Sequence, residues 1–383
     1  MKTEFQPQLL RWARERAGFN IPELGQKLGA APEKVTAWEE TGILTLSQAE
    51  KLAHVTHTPL GYLFLQEPPN EALPVSDFRT VGTQRIERPS PDLLELVEDC
   101  LRRQDWYRDY LIANAEDPLP FVASLEATAR VSDAAERIRA VVHWDPALRA
   151  QARNWEEALT KQIAAVEQAR IMVMRSGIVG NNTHRPLSVG EFRGFALSDS
   201  LAPLVFLNGK DSRAAQMFTL AHEIVHIWLG VSGVSNLRQT YAPNDTMERF
   251  CNAVAAELLV PLAELRTVWP QVEQKNAGVR LTRHFKVSSL VILRRLRDAN
   301  LISEAEFNAR YSDELVQFSN AAATSGGGDF YKTLRARLGS RFTSALVEST
   351  LEGRTLYRDA FQLLGVSNAE TVRKLGEALG VAA

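Results

Sequence analysis

One apolar stretch, Ala214 to Leu237, contains a single charged side chain and constrains the fold of this chain more than any other feature. That charge is Glu223, which lies between His222 and His226 in a His-Glu-x-x-His pattern. Residues four apart share one face of a helix, so both imidazoles can point at one cation. Glu223 lies about 100° around the axis, where it can act as a base without binding that cation. The pattern predicts a buried helix with a zinc hydrolase site.

A second helix is predicted downstream, opened by a cap at Asp245 or Thr246 and stopped by Pro261. It supplies the preferred third ligand, Glu248, because a carboxylate completes the ligand set of many catalytic zinc sites. Asn252 follows one turn later on the same face. We therefore expect Asn252 to orient one histidine ring through its outer nitrogen.

Several alternatives stay open at this point. Glu257 is a rival carboxylate on the same helix, Cys251 is a possible thiol ligand, and His284 is the one histidine after the motif. Glu248 can also be read as a solvated carboxylate that the dipole of its helix favours. The two motif histidines can likewise be core residues whose nitrogens meet backbone partners.

The chain resembles a known family at these residues. The motif at 222–226, followed by Glu-x-x-Cys-Asn-x-Val-Ala-Ala-Glu-Leu-Leu-Val-Pro over 248–261, resembles the ImmA/IrrE metallopeptidases. That family usually has Ala where this chain has Cys251 and Phe where it has Val254. Both departures are mild changes in packing. Segments at 74–80, 194–199 and 281–295 extend the resemblance to the larger members, which carry an amino-terminal Xre-type domain.

The resemblance implies specific roles. His222, His226 and Glu248 would hold Zn²⁺, and Glu223 would be the general base of an endopeptidase. The expected protein partner is a helix-turn-helix repressor of a stress response or a mobile element, which is cut to release its genes. The alternative function is a regulator or antitoxin of the Xre type, which uses the peptidase body mainly to bind a partner such as a toxin.

The predicted fold is α+β and mostly helical, with a zincin-like body around a small mixed sheet. Long helices are expected over 90–114, 132–143 and 147–168, and strands over 171–179, 192–197 and 204–207. The last strand should offer an edge for an extended peptide. The predicted domains are an Xre-type helix-turn-helix (1–66), a Pro-rich linker (67–80), the peptidase (81–262), a second helix-turn-helix-like subdomain (263–320) and a helical docking domain (329–383).

The first domain should consist of five helices, and it resembles Xre-type domains at Val35-x-x-Trp38-Glu39. Its third helix offers Lys34 and Thr36 as DNA-binding candidates. Seven Lys/Arg stand against seven Asp/Glu over residues 1–66, so the domain is neutral. DNA binding and docking of another protein are therefore both open for this domain.

The segment 263–300 is basic, with eight Lys/Arg against three acidic residues. Arg294 and Arg295 are further DNA-binding candidates there, while a packed subdomain with solvated arginines is the alternative. Two loop residues, Tyr241 and His184, are candidates to stabilise a developing oxyanion. The helical tail is read as a docking or oligomerisation module, which leaves a homodimer open.

Composition limits the class of protein. The net charge of −2 excludes a globally basic nucleic-acid binder. Two cysteines, Cys100 and Cys251, argue against a disulfide framework and fit a reducing cytoplasm. Neither a signal peptide nor a membrane-spanning apolar run is recognised, so we expect a cytoplasmic protein without membrane contact.

Overall fold

The computed structural model describes residues 2–77, 80–81, 84–85, 89–235, 246–272, 277–319 and 330–381. Two compact units are present, Met1–Pro74 with Ile86–Glu98, and Val75–Arg85 with Asp99–Ala383. Helices dominate both units. The described residues of the second unit also form a five-stranded sheet with parallel and antiparallel pairs, so the fold is α+β. Among the described residues no helix is both long and apolar enough to cross a bilayer.

Residues 2–64 of the first unit form four α-helices, a 3-10 helix and a two-stranded ladder. In chain order these are β1 (Lys2–Glu4), α1 (Pro7–Arg16), α2 (Ile21–Leu28), α3 (Pro32–Thr41), β2 (Ile43–Thr45), α4 (Leu46–Val55) and the 3-10 helix Leu60–Phe64. Asn20 caps α2 in a reciprocal capping box with Glu23, and Gly29 ends it in the left-handed conformation, as expected.

The five-helix prediction for this unit is not confirmed. Its fifth helix is a short 3-10 segment, and the antiparallel β1–β2 ladder was not predicted. The ladder requires a tight turn after α3, where Gly42 has φ +71° and an added Cβ would lie 2.0 Å from the Phe5 carbonyl oxygen. A three-residue strand after a helix leaves too short a period-two pattern to recognise.

The described strands of the second unit are β3 (Ser76–Asp77), β4 (Thr80–Val81), β5 (Gln84–Arg85), β6 (Met172–Ser176), β7 (Ile178–Val179), β8 (Asn182–Pro186), β9 (Gly194–Leu197), β10 (Leu204–Asn208) and β11 (Gly233–Ser235). Five of them form one sheet in the order β3-β11-β9-β10-β6. β4–β5 and β7–β8 form separate two-stranded pairs. β6 runs parallel to β10 and β3 parallel to β11, whereas β9 is antiparallel to both β10 and β11.

Three predicted strands are present as β6, β9 and β10, but the prediction that β10 has a free edge is wrong. β10 is paired on both sides, by β6 and β9, so it cannot offer the free edge predicted for it. All five residues of β10 are buried, which explains its continuous apolar run. The described edge strands are β3 and β6.

Helices make up most of the rest of the described chain. They are α5 (Pro91–Ala113), α6 (Val131–Val142), α7 (Pro146–Ala150), α8 (Trp155–Gln168), α9 (Arg213–Leu229), α10 (Thr246–Leu259), α11 (Leu262–Val268), α12 (Ala277–Phe285), α13 (Ser289–Asp298), α14 (Glu304–Ser319), α15 (Phe330–Leu338), α16 (Ser340–Leu351), α17 (Tyr357–Leu364) and α18 (Ala369–Leu379). The helix predicted over 147–168 is two helices, because Asn154 caps a new start at α8.

One apolar core joins most of these elements. It includes Ile224 of α9, Val254 of α10, Phe285 of α12 and Ile292 of α13. The described residues of the segment 263–320 therefore share this core, although α12 and α13 form the predicted helix pair and Ser288 caps the second. A boundary at 263 divides residues that share one hydrophobic cluster.

The tail packs against the sheet edge of its own unit. Helices α15 and α16 contact β6. An added Cβ at Gly339 would lie 2.7 Å from the Val173 carbonyl oxygen, so only glycine permits this approach. The Arg341 guanidinium donates to the Glu167 carbonyl oxygen at 3.0 Å. The tail therefore packs on the rest of its own unit, and its role in docking or oligomerisation stays a prediction.

Candidate metal centre

Helix α9 carries the His-Glu-x-x-His motif through the centre of the second unit. The Ser212 side chain caps its start, and Gly230 ends it with φ +72°. The helix packs against β9 and β10, and its residues from Thr219 to Trp228 are all buried. An apolar helix with no solvated face is expected at such a place, and this explains why the run has so few charges.

Helix α10 presents three candidate residues to α9 on one face. Glu248, Cys251 and Asn252 are spaced i, i+3 and i+4, so they lie side by side on the helix surface. Phe250, Val254 and other apolar residues of α10 are buried in the core. This packing fixes the rotation of α10 and points the three polar side chains at the motif.

The two histidines and Glu248 converge. The Nε2 atoms of His222 and His226 are 3.0 Å apart. Glu248 places Oε2 3.3 Å from the first Nε2 and Oε1 3.1 Å from the second. Two imidazole nitrogens and a carboxylate that meet at one point form a typical catalytic zinc ligand set, which leaves a coordination position for water. The residues present therefore fit a bound Zn²⁺.

The outer nitrogens of the two rings face α10. Asn252 Oδ1 lies 3.1 Å from His222 Nδ1, in the orienting position predicted for it. Cys251 Sγ lies 4.0 Å from His226 Nδ1. The histidines and Cys251 also form a possible ligand cluster. We favour Glu248 over Cys251 because Glu248 faces both Nε2 atoms, whereas the sulfur contacts the opposite side of one ring.

Glu223 is fully buried beside this cluster, and neither of its carboxylate oxygens has a hydrogen-bond partner among the described residues. Burial raises the pKa of Glu223 to about 8, and the nearby charge of Glu248 adds to this, while His222 opposes it. Ser235, at the end of β11, favours the ionised form of Glu223 and so opposes this rise. A carboxylate in this setting can both take and give a proton near neutral pH.

For Glu248 and His222, the interaction with the opposite charge outweighs the effect of burial on the pKa. Burial alone would raise the pKa of Glu248, but the charges and hydrogen bonds of His222 and His226 outweigh it and lower that pKa. Burial alone would lower the pKa of His222, but Glu248 outweighs it and raises that pKa. The cluster thus stabilises a positive charge at the place where the nitrogens converge.

The sequence patterns did not predict two residues that contribute to this site, Ser235 and Gly194. At Gly194, in β9, an added Cβ would lie 2.4 Å from Thr219 Cγ2 and 3.3 Å from Glu223 Cγ. The glycine lets α9 approach the sheet at the position of the motif glutamate. A glycine inside a predicted strand was the available signal for this close approach.

The part of the chain that carries the motif is similar to a known peptidase family. The model of the M78 peptidases, described as the IrrE N-terminal-like domain, matches residues 167–297. We call these residues the IrrE-like region. The region contains β6 to β11, the motif helix and α10, so the match supports a peptidase-type activity for this part of the chain. Residues 338–378 match a domain of unknown function, DUF8813. No curated protein and no solved structure matches the chain.

Within the IrrE-like region the rival ligands lie elsewhere. Glu257 pairs with Arg295 and accepts from the Leu262 amide at 3.2 Å. His284 lies 2.8 Å from Glu264 through Nε2. His184 is an exposed residue of β8. Tyr241 lies outside the described residues.

The DNA-binding candidates of the IrrE-like region need correction. Arg295 is only 4% exposed, pairs with Glu257 and donates to the Val260 carbonyl oxygen at 2.9 Å. Its prediction is wrong, because a buried and paired guanidinium cannot reach a phosphate. Arg294 is half-buried, lies over the Tyr311 ring at 5.1 Å and donates to the Tyr311 hydroxyl. The basic composition of this segment suggested exposed cations, but it gave no sign of the partners Tyr311 and Glu257.

In the first unit, Lys34 is exposed on α3 and its ammonium lies 5.6 Å from the Trp38 ring centroid. Thr36 is half-buried and donates to the Pro32 carbonyl oxygen. Both remain predictions for DNA contact. Arg14 of α1 donates two hydrogen bonds to Glu39, at 2.6 and 2.9 Å, so its charge is paired within the unit.

Proposed function

We propose that this chain is a zinc-dependent endopeptidase that cleaves a partner protein and thereby acts as a regulator. The observation that carries the proposal is the convergence of two Nε2 atoms and Glu248 beside Glu223, a buried carboxylate with no hydrogen-bond partner in the described part of the chain. The peptidase family match to the IrrE-like region supports the same reading.

His222, His226 and Glu248 would hold the ion. Zinc bound there supplies a Lewis acid that polarises the scissile carbonyl and lowers the pKa of a water to roughly 7. Glu223 takes a proton from the attacking water at a carboxylate oxygen and returns it to the leaving amine nitrogen. The surrounding apolar walls of α9 exclude bulk water and strengthen these interactions.

The substrate class rests on the resemblance stated above. We propose a protein of the helix-turn-helix repressor type, cut to release stress or mobile-element genes. The scissile peptide bond of such a partner would lie beside Glu223, the proposed general base, whose carboxyl group interacts with Ser235 at the end of β11.

The test compares the zinc-loaded protein with Glu223→Gln, with the proteome of its native host as substrate. New amino termini are counted by mass spectrometry. We expect the variant to bind zinc but to lose at least about 100-fold in cleavage rate, equal to roughly 2.7 kcal/mol in the barrier. Glu126→Gln, an exposed residue of the same unit, is the matched control. Equal cleavage by the parent and Glu223→Gln would refute the role of Glu223.

For the first unit we propose a helix-turn-helix function of the Xre type. The supporting observation is the pair α2 and α3, joined over residues 29–31, with Lys34 exposed on the second helix. Gel-shift binding to random-sequence DNA pools should weaken steeply with salt and on Lys34→Ala. Selection that enriches no sequence would favour the alternative, in which the unit docks a protein such as a toxin.

A further inference from the structure

The side chains of two consecutive residues of α10 contact the outer nitrogens of the two motif histidines. Asn252 meets His222, and Cys251 meets His226, in each case at Nδ1. The inner Nε2 atoms meet each other and Glu248 instead. Each imidazole therefore contacts one α10 side chain through Nδ1 and faces the candidate ion site with Nε2.

We propose that Cys251 is a positioning residue for the zinc site, and this rests on the function proposed above. Its sulfur accepts a hydrogen bond from Nδ1–H of His226. A neutral imidazole carries its proton on one nitrogen only, so this contact leaves the lone pair on Nε2, where the ion would bind. Asn252 has the same effect on His222.

The geometry argues against a direct zinc–sulfur bond. A ligand sulfur lies about 2.3 Å from zinc, on the same side as the other donor atoms. Here the sulfur is close to the Nδ1 side of His226, and Glu248 is close to the Nε2 side. One ion bound through this imidazole can use either nitrogen but not both. The carboxylate, which also reaches His222, is the better partner.

The thiol is an unusual device for this task. The ImmA/IrrE pattern usually has alanine at position 251, and alanine offers no acceptor for the ring. Cys251 is fully buried between α9 and α10, so water does not compete for its contact. A thiol is a weak acceptor. Its contribution to zinc affinity should therefore be near the lower end, roughly tenfold, of what such outer partners supply.

The experiment measures zinc affinity of the full chain by competition with a chromophoric chelator. Cys251→Ala and Cys251→Val both remove the acceptor, and the valine also fills the space. Both should weaken zinc binding roughly tenfold, whereas Cys251→Ser should retain affinity within about twofold because a hydroxyl accepts the same bond. Cys100→Ala removes the other buried thiol and should leave affinity unchanged. Thermal melts of the metal-free variants verify folding.

The outcomes separate cleanly. Parental affinity in both Cys251→Ala and Cys251→Val would overturn the positioning role while the proposed function stands. Cobalt substitution gives a second test, since a cobalt–thiolate bond produces an intense near-ultraviolet charge-transfer band. Such a band in the parent that disappears in Cys251→Ala would make Cys251 a ligand and overturn the proposal. A parent that binds neither metal would refute the function as well.

Discussion

Two buried groups of charged side chains in the second unit differ in how they are satisfied. Around α13, Arg295 is paired with Glu257 and donates to a carbonyl oxygen. Around α9, Glu223 is as deeply buried but has no hydrogen-bond partner within the described part of the chain. Uncompensated burial is costly, so a fold retains it where chemistry needs it. The comparison distinguishes a structural ion pair from a reactive carboxylate.

The largest expected effect comes from breaking the paired group. Arg295→Met should lower the free energy of unfolding by about 3–5 kcal/mol, because it leaves Glu257, which is only 15% exposed, and the Val260 carbonyl oxygen without their shared cation. Urea unfolding of the metal-free protein measures this. Arg280→Met, at an exposed position of α12, should change the free energy by less than about 0.5 kcal/mol. A mild effect of Arg295→Met would mean that the pair is dispensable.

Removing the unpartnered charge should act in the opposite direction. The folded-state pKa of Glu223 is about 8, above its usual value, so the folded protein holds this proton more tightly than the unfolded chain. Metal-free protein should therefore lose stability as pH rises from about 5 to 8, and His222, whose pKa is also raised, adds to the loss. Glu223→Gln should gain on the order of 2 kcal/mol at pH 8.5 and little at pH 5.

That pH series is read by urea unfolding in the presence of a chelator. Glu126→Gln, which alters an exposed carboxylate, should follow the parent at every pH. Parallel curves for the parent and Glu223→Gln would show that the buried carboxyl does not titrate across this window. The contrast with the Arg295 pair would then be lost.

A third predicted effect, comparable in size to that of Glu223→Gln, concerns the space beside Glu223. Gly194→Ala should cost about 1–3 kcal/mol, because the new methyl would overlap Thr219 and the Phe206 carbonyl oxygen, at 2.4 and 2.8 Å. It should also reduce zinc affinity, since α9 must move. Gly278→Ala, with open space around it in α12, should be neutral or slightly stabilising. Equal stability of both variants would indicate that α9 can shift freely.

The same contrast explains what the sequence could predict. The motif, the second helix with Glu248 and the main strands followed from local periodicity and spacing, which the chain carries residue by residue. The fate of Arg294 and Arg295 did not, because their partners, Tyr311 and Glu257, are distant in sequence. The sequence also could not predict that β10 pairs with both β6 and β9, because these pairings depend on residues far apart in the chain. A buried central strand and a buried edge strand have the same apolar run, and only the sheet order distinguishes them.

X-ray absorption at the zinc edge tests the central claim most directly. The protein is loaded with one equivalent of zinc, and the first-shell distances and the imidazole scattering are measured. Ligation by His222, His226 and Glu248 predicts two imidazoles and only nitrogen or oxygen neighbours at about 2.0–2.2 Å. A sulfur neighbour at about 2.3 Å, or fewer than two imidazoles, would contradict the account.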